Sequence, residues 1–562
     1  MNEGEVWDAV IMGTGLPECI VASGLSLRGY KVLVIDENLT YGGVWNTVKY
    51  KSFSDWMFDK GSENNCSVFD SSYFYGKRFE SSQGDENTNR IMIDLLPKVL
   101  FSRGKLTELV ISCNITNYLD FQGIENVYYC ELKSKGEGES DSLKEHKNNE
   151  LLLLKTPFSK SDIFSSNDLS LVEKRQIMRL YNGLKDIIEL RSISERKLDI
   201  DLINDPFRSP ALISDSGILR EEERTSDKVE FELFSEFQDK WKINEKVLNL
   251  IKHNASFIIN KNKDEFDSKN DFEKYLSLLL SSLNQHGCTG TPFIYPCYGI
   301  CDLTQAFSRL AAVKGALQRL GTKIMNMRLV NGVWNLDVKG ENLPTETIKC
   351  RLLISSYKEK IKDCFSKGMD GRECSDFETI NETGRSVICV VAILNGPLSI
   401  LGENSESNKI SVITLNVKDR DIEKYRYNNV VSVLQCNSHT GCCSDRHYIV
   451  YLNMVIEDEK KENIEEHRNY MYHLLDCLVF SKKNTSEIIS RASYFYKQKL
   501  DSPKLLSGAS VLFLPDPCIN NNSFLLLDED VEKSLIALEC SLCFLNPRSS
   551  NNLVSHKNFY AT

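Results

Sequence analysis

The sequence predicts an α/β chain: an FAD/NAD(P)-binding, Rossmann-like domain with several sheets, interrupted by an inserted all-α domain. Three observations predict it. A glycine-rich turn joins an apolar strand to an apolar helix in Val10-Ile11-Met12-Gly13-Thr14-Gly15-Leu16-Pro17-Glu18. A second apolar strand, over 31–35, ends in Asp36, 23 positions after Gly13. Between 157 and 287 the apolar spacing turns helical, and strand character resumes afterwards.

The turn has a definite chemistry. In a dinucleotide site the first two glycines shape the turn and let the backbone approach a pyrophosphate at the helix N-terminus, and the acidic residue takes a ribose hydroxyl. Gly13, Gly15 and Asp36 fill those places, but Glu18 replaces the third glycine. A carboxylate suits the positive end of the helix dipole, yet here it lies where two phosphates belong. Pro17 adds bulk beside it. The expectation is a vestigial site that holds no cofactor; a working flavin site that tolerates the substitution is the alternative.

Composition narrows the remaining classes. At 562 residues the chain can form two or more domains with full cores, and 41% apolar with 26% charged residues suits a globular protein. A net charge of -11, without a long basic stripe, argues against nucleic acid. Glu3, Glu5 and Asp8 precede the first strand, which is neither signal nor transit character. The longest apolar run, 387–394, is too short for a bilayer and suits a buried strand. The last residues, Asn558 to Thr562, carry no prenylation signal. The 18 cysteines, among them Cys19, Cys113, Cys389 and Cys477, are scattered at apolar positions, which predicts reduced thiols and a cytoplasmic location. Cys540 and Cys543 have no second pair, so one helix face is expected there rather than a metal site. Eight histidines form no hydrolase constellation.

In chain order, residues 1–156 are expected to form the first part of the dinucleotide-type domain. An aromatic segment with Phe53, Trp56 and Phe58 follows the turn, and the polar stretch 62–89 reads as a surface excursion. A strand and turn surround Leu95-Leu96-Pro97-Lys98. The stretch 105–121, with Leu109, Val110 and Ile111, reads as strands. Val127-Tyr128-Tyr129 and Leu151-Leu152-Leu153-Leu154 predict a hairpin around a charged loop. Residues 157–287 are expected to be the helical domain. Ser161-Asp162-Ile163-Phe164 opens one helix, and the capping-box pattern Ser170-Leu171-Val172-Glu173 opens another with Ile177, Leu180, Tyr181, Leu184 and Ile187. Further helices are expected at 231–241, 245–259 and 272–285, around a charged insertion at 191–228. The first domain is expected to continue over 288–562: a strand at 293–299, a helix over 302–320, strands at 323–329, 332–338, 350–356 and 387–394, with 409–416 and 430–436 extending the sheet. A charged stretch, 457–466, leads into a helix, and a helix over 531–544 packs back on the first domain.

Two motifs carry a family resemblance. Asp8-Ala9-Val10-Ile11-Met12-Gly13-Thr14-Gly15-Leu16-Pro17-Glu18, followed by Asp36 and Tyr41-Gly42-Gly43, resembles the opening of the Rab escort protein and Rab GDP-dissociation inhibitor superfamily. Pro292-Phe293-Ile294-Tyr295-Pro296-Cys297-Tyr298-Gly299 with Asp302-Leu303-Thr304-Gln305-Ala306-Phe307-Ser308-Arg309 resembles its second signature. The resemblance implies a flavoprotein-type fold without flavin and a Rab-binding platform at Tyr41, Asp302, Gln305 and Arg309. It also implies a groove for the Rab tail near Val110 and Ile111, and a transferase contact at Leu279, where escort proteins offer a phenylalanine. Asp302 departs from the usual Glu and Thr304 from Pro; Leu317 and Arg319 stand near other Rab-contacting positions. Val44-Trp45, Ser52-Phe53-Ser54-Asp55-Trp56, Thr156 to Phe164 and Leu171-Val172-Glu173-Lys174-Arg175 resemble the escort branch.

The implied function is that of a non-catalytic chaperone. It binds GDP-bound, unprenylated Rab GTPases, presents them to the Rab geranylgeranyl transferase heterodimer and shelters geranylgeranyl lipid between helices, near residues such as Leu248, Ile251 or Leu276. Transient membrane contact follows from delivery. The rivals are the dissociation-inhibitor role and a flavin-dependent, amine oxidase-like enzyme.

Overall fold

The computed structural model describes residues 5–58, 74–81, 90–133, 150–182, 278–287, 290–340, 344–356, 385–402, 408–417, 430–456, 464–481, 486–506, 510–519 and 526–546, with positions 242–244, 246, 247, 250, 361 and 508. In chain order the longer helices among the described residues are α1 (Leu16–Leu27), α2 (Tyr50–Phe58), α3 (Lys105–Ser112), α4 (Lys160–Ser165), α5 (described over 171–182), α6 (Cys301–Val313), α7 (Ile464–Val479) and α8 (Asp528–Leu545).

One eight-stranded sheet is the dinucleotide-type sheet. Its first strand, β1 (Val6–Met12), pairs in parallel with β2 (Val32–Ile35) on one side and with Glu346–Ser355 on the other. Leu317–Arg319 extends the parallel set beyond β2, and Val511–Phe513 lies parallel to Glu346–Ser355. Thr322–Val330 and Val333–Gly340 add an antiparallel meander on one side, and Lys504–Leu506, antiparallel to Val511–Phe513, is the eighth strand. Ala9, Val10 and Ile11 are fully buried, as expected of a strand covered on both faces. Helix α1 is buried from Leu16 to Ser26, so it is a core helix rather than a surface one. It lies between α6 and α8: Ser23 Oγ donates to Phe307 O at 2.7 Å, and a Cβ at Gly24 would collide with Leu538. The expected return of the C-terminal helix onto the first domain is therefore present.

The second eight-stranded sheet runs in the order Phe74–Ser81, Ile488–Lys497, Ser386–Leu394, Tyr448–Ile456, Val430–Cys436, Ser411–Val417, Asn126–Lys133, Glu150–Lys155. The last two strands form the expected hairpin pair. The strands 411–417 and 430–436 do extend the sheet of Ser386–Leu394, whereas Glu346–Ser355 belongs to the other sheet. Helix α7 packs on one face through Met471, Leu474, Leu475 and Leu478.

Three sequence expectations are corrected. Within the supposed surface excursion, Phe74–Ser81 is an edge strand whose Phe74 ring meets Trp56 at 5.5 Å, edge to face. An edge strand needs only one apolar face, so a polar stretch conceals it. Residues 105–112 form helix α3, not a strand. Leu106, Leu109 and Val110 are buried at helical spacing, and this periodicity outweighs the β-branched content. The helix beginning near 302 ends at Val313 rather than 320. Gly315, at φ 101, turns the chain so that 317–319 joins the parallel sheet.

In the helical region, Ser159 and Asp162 form a capping box at α4, and Ser170 with Glu173 bond reciprocally at α5. Most of 183–277 lies outside the described residues. That includes the expected helix at 231–241, most of that at 245–259, residues 272–277 of that at 272–285, the charged insertion, and Leu248, Ile251 and Leu276; residues 278–281 are helical.

Candidate functional site

The turn after β1 has the shape of a dinucleotide site and a different chemistry. Gly13, at φ 108, donates its N–H to Ile35 O at 2.8 Å, and Gly15 leads into α1. Asp36, the expected ribose ligand, is buried and already engaged: Thr14 Oγ1 donates to it at 2.6 Å and Asn38 N at 2.8 Å. Glu18 is 3% exposed and folds back over the turn, its Oε2 within 2.5 Å of where a Cβ on Gly15 would sit. Ser356 Oγ donates to Glu18 Oε1 at 2.5 Å. Burial pushes the Glu18 carboxyl up to about 7, a rise that the Ser356 hydrogen bond limits and Asp36 and Asp516 reinforce. The indole of Trp45 closes the other side. What remains between Gly15, Glu18, Trp45, Ser356 and Asp516 is a cavity of about 20 Å³, enough for roughly one water molecule. These residues do not fit a pyrophosphate, because a buried carboxylate and an indole stand over the turn that would bind it.

Beside this filled turn lies an exposed helix face. Its position is set by a buried hub that the sequence did not reveal. Asp94, 1% exposed, accepts from Thr47 Oγ1 at 2.5 Å, from Ile300 N at 3.1 Å and from the Tyr295 hydroxyl. Thr47 Oγ1 in turn accepts from Cys301 N at 3.1 Å. Two strands distant in sequence thus cap the N-terminus of α6, a favourable place for a carboxylate. Gly299, at φ 97, permits the approach, since a Cβ there would strike both Asp94 and Thr47. Burial pushes the Asp94 carboxyl up, against the pull of its three donors.

From this start, α6 turns Leu303, Ala306, Phe307 and Leu310 inward. Asp302, Gln305 and Arg309 point outward, spaced by three and four along one face. The Arg309 guanidinium lies 4.1 Å from the ring centre of Tyr118, itself 40% exposed. Asp302 is half-buried; burial, then Asp94 and Asp120, push its carboxyl up to about 6. Tyr41 joins this face through Gln318: its hydroxyl donates to Gln318 Oε1 at 2.9 Å, and Ser308 Oγ donates to the same oxygen at 2.8 Å. Cys301 Sγ also reaches Tyr41 O at 3.5 Å. The structure therefore brings Tyr41, Asp302, Gln305 and Arg309 onto one surface.

Two other sequence-derived positions behave differently. Val110 is 1% exposed and packs into the core around α1, while Ile111, the next residue of α3, is exposed. A helix, unlike the expected strand material, sends only Ile111 outward, so Val110 lines no groove. Leu279 is 4% exposed and packs in the core that includes Phe293 and Tyr295, leaving little side chain for a docking partner. Tyr118, Asp94, Thr47 and Gln318 were missed. Only Tyr118 had a local signal, an aromatic following the polar pair Thr116-Asn117. Among the described residues no cluster of three or more His, Cys, Asp or Glu is placed to hold a metal, and no helix is long and apolar enough to cross a membrane.

Comparison with known proteins gives consistent relatives. The model of the family described as "GDI: GDP dissociation inhibitor" matches residues 1–204 and 220–489. The Rab GDP-dissociation inhibitor of Saccharomyces cerevisiae is 24% identical over 457 residues, covering 81% of this chain and 80% of that protein. The Rab proteins geranylgeranyltransferase component A of Drosophila melanogaster is 25% identical over 338 residues, covering 58% of this chain and 55% of that one. The match thus spans little more than half the length of the latter relative. A solved structure of a Rab GDI from Plasmodium falciparum superposes with a TM-score of 0.61 at 18% identity, covering 96% of this chain and 98% of that one, a likeness of fold.

Proposed function

The chain belongs to the GDP dissociation inhibitor family, and from that premise we propose that it is a Rab escort protein. It binds GDP-bound, unprenylated Rab GTPases, presents them to the Rab geranylgeranyl transferase heterodimer, and carries the lipidated product through the cytosol to membranes. The observation that carries the Rab-binding part is the exposed face of α6. A half-buried carboxylate, an amide and an arginine line one side of a rigid helix, with Tyr41 anchored beside them. Arginine and tyrosine on a rigid support are the side chains that dominate binding energy at protein interfaces.

The role is non-catalytic in this reading, and the chain holds no flavin. Glu18, Ser356 and Trp45 take the space above the glycine turn and support that view. Sheltering the lipid has a plain physical motive: each buried CH₂ of a geranylgeranyl chain is worth about 0.8 kcal/mol, so a prenylated Rab needs an apolar carrier in water.

The escort branch is favoured by the stretches around Ser52 to Trp56 and 156–175 and by the Drosophila component A relative. The broader coverage of the yeast dissociation inhibitor favours a second reading, in which the chain recycles prenylated Rab. The deciding experiment is geranylgeranyl transfer onto a GDP-loaded Rab by its transferase, with and without this chain. Transfer that requires the chain supports the escort role. Extraction of prenylated Rab from membranes without stimulation of transfer assigns the inhibitor role. Neither activity, together with flavin absorbance in the purified chain, would overturn both.

A further inference from the structure

Helices α4 and α5 carry three large apolar side chains left uncovered among the described residues: Phe164 at 68% exposure, Leu171 at 76% and Val172 at 62%. The two helices are tied where these residues stand, since Lys174 Nζ donates to Phe164 O at 2.9 Å. Helix α5 is two-faced. Ile177 and Leu180 are buried with Ile163 and Leu169, whereas Leu171, Arg175 and Arg179, spaced by four, share the exposed face. Lys160, Arg175 and Arg179 are exposed, and their side chains make no hydrogen bond or ion pair among the described residues. The nearby acids are mostly committed. Asp162 closes the capping box with Ser159, and Glu173 takes Ser170 N, Asn244 and Lys246; among the described acids of these two helices and their turn only Asp168 remains outward.

We propose that this surface, Phe164, Leu171 and Val172 with Lys160, Arg175 and Arg179, rests on the face of an anionic lipid bilayer. The chemistry selects that occupant. Apolar side chains interleaved with exposed cations match acyl chains beneath a layer of negative headgroups. Long cationic side chains can lie along the apolar boundary and keep their charge among the headgroups. In a chain of net charge -11, this patch is a local exception that orients the molecule towards a negative surface. The proposal deepens the delivery step by assigning it a surface, but it does not depend on Rab recognition.

The test is co-sedimentation of the full chain, without any Rab, with phosphatidylcholine vesicles lacking or containing roughly 30% phosphatidylserine, at salt of about 50 and about 500 mM. Binding is expected to be at least about tenfold tighter to the anionic vesicles and to fall with salt. The triple variant Phe164→Ser, Leu171→Ser, Val172→Ser and the triple variant Lys160→Glu, Arg175→Glu, Arg179→Glu should each lose about tenfold. Their thermal midpoints should stay unchanged, because all six side chains are exposed. Absence of vesicle binding, or equal binding by the variants, overturns the proposal. So does loss of transferase binding with vesicle binding intact, which would make the patch a protein interface. If vesicles are bound but Rab is not, the failure lies with the Rab reading and leaves this one standing.

Discussion

Helices α1 and α6 start in the same way and end as opposites. Each follows a strand, a glycine at positive φ and a tight turn. Over α1 the chain's own Glu18 and Trp45 close the space, and the helix is buried all round. At α6 the N-terminal amides are satisfied from behind by Asp94 and Thr47, so the solvent-facing side keeps Asp302, Gln305 and Arg309 free to meet a partner. A helix start is thus either a ligand site or a scaffold, depending on which groups satisfy its amides.

That contrast can be broken by mutation. Asp94→Ala should have the largest effect, since it strands the Thr47 and Tyr295 hydroxyls and the Ile300 amide in the core. We expect a loss of about 4 kcal/mol in chemical denaturation, together with loss of Rab binding. If stability fell while Rab binding persisted, the hub would not be what positions the α6 face.

Glu18→Gln tests the filled turn. Glu18 has a folded-state pKa of about 7 against an ordinary value of 4.5, so the folded chain holds its proton more tightly than the unfolded chain. Wild-type stability should therefore decline as pH rises from the unfolded towards the folded value, by about 3 kcal/mol, and level off above it. The variant should lack this decline and equal or exceed the wild type at alkaline pH, while Rab binding stays unchanged. Parallel stability curves for the two proteins would show that Glu18 ionises freely.

Arg309→Ala should do the reverse. Affinity for GDP-loaded Rab is expected to drop by about tenfold, or 1.4 kcal/mol, with a change in stability below about 0.5 kcal/mol. Calorimetric titration and thermal melts on the same sample separate the two. Unaltered affinity would remove Arg309 from the platform. The smallest effect belongs to Tyr118→Ala, which removes the ring beneath Arg309: about 0.5–1 kcal/mol of binding, with Tyr118→Phe close to wild type. An equal loss in the Arg309→Ala background would show that the ring acts without the guanidinium.

The elements with local chemistry were legible in the sequence. The β1–α1–β2 unit, the closing role of Glu18, the hairpin at 126–155 and the outward face of α6 all follow from single or consecutive segments of the chain. The concealed parts depend on distance. Nothing near Asp94 announces that it caps a helix two hundred residues later. Lys98 gave no hint of being wholly buried, 3.3 Å from Asp530 Oδ2 and donating to Cys518 O and Leu526 O. The misread segments, 74–81 and 105–112, are short pieces in which edge pairing or tertiary burial decides between β-branched propensity and periodicity.

The parallel pairing of β1 also sets a timetable. Its partner at Glu346–Ser355, and that strand's own neighbour at Val511–Phe513, come from the far end of the chain. At roughly 5–20 residues per second of synthesis, the last of these strands leaves the ribosome roughly 25–100 s after β1. Through that interval the parallel set lacks its outermost strand, leaving Glu346–Ser355 without its neighbour once it emerges, and a nascent chain with an unpaired strand edge is prone to aggregate. Production of this protein should therefore depend on chaperone supply more than its finished stability would suggest.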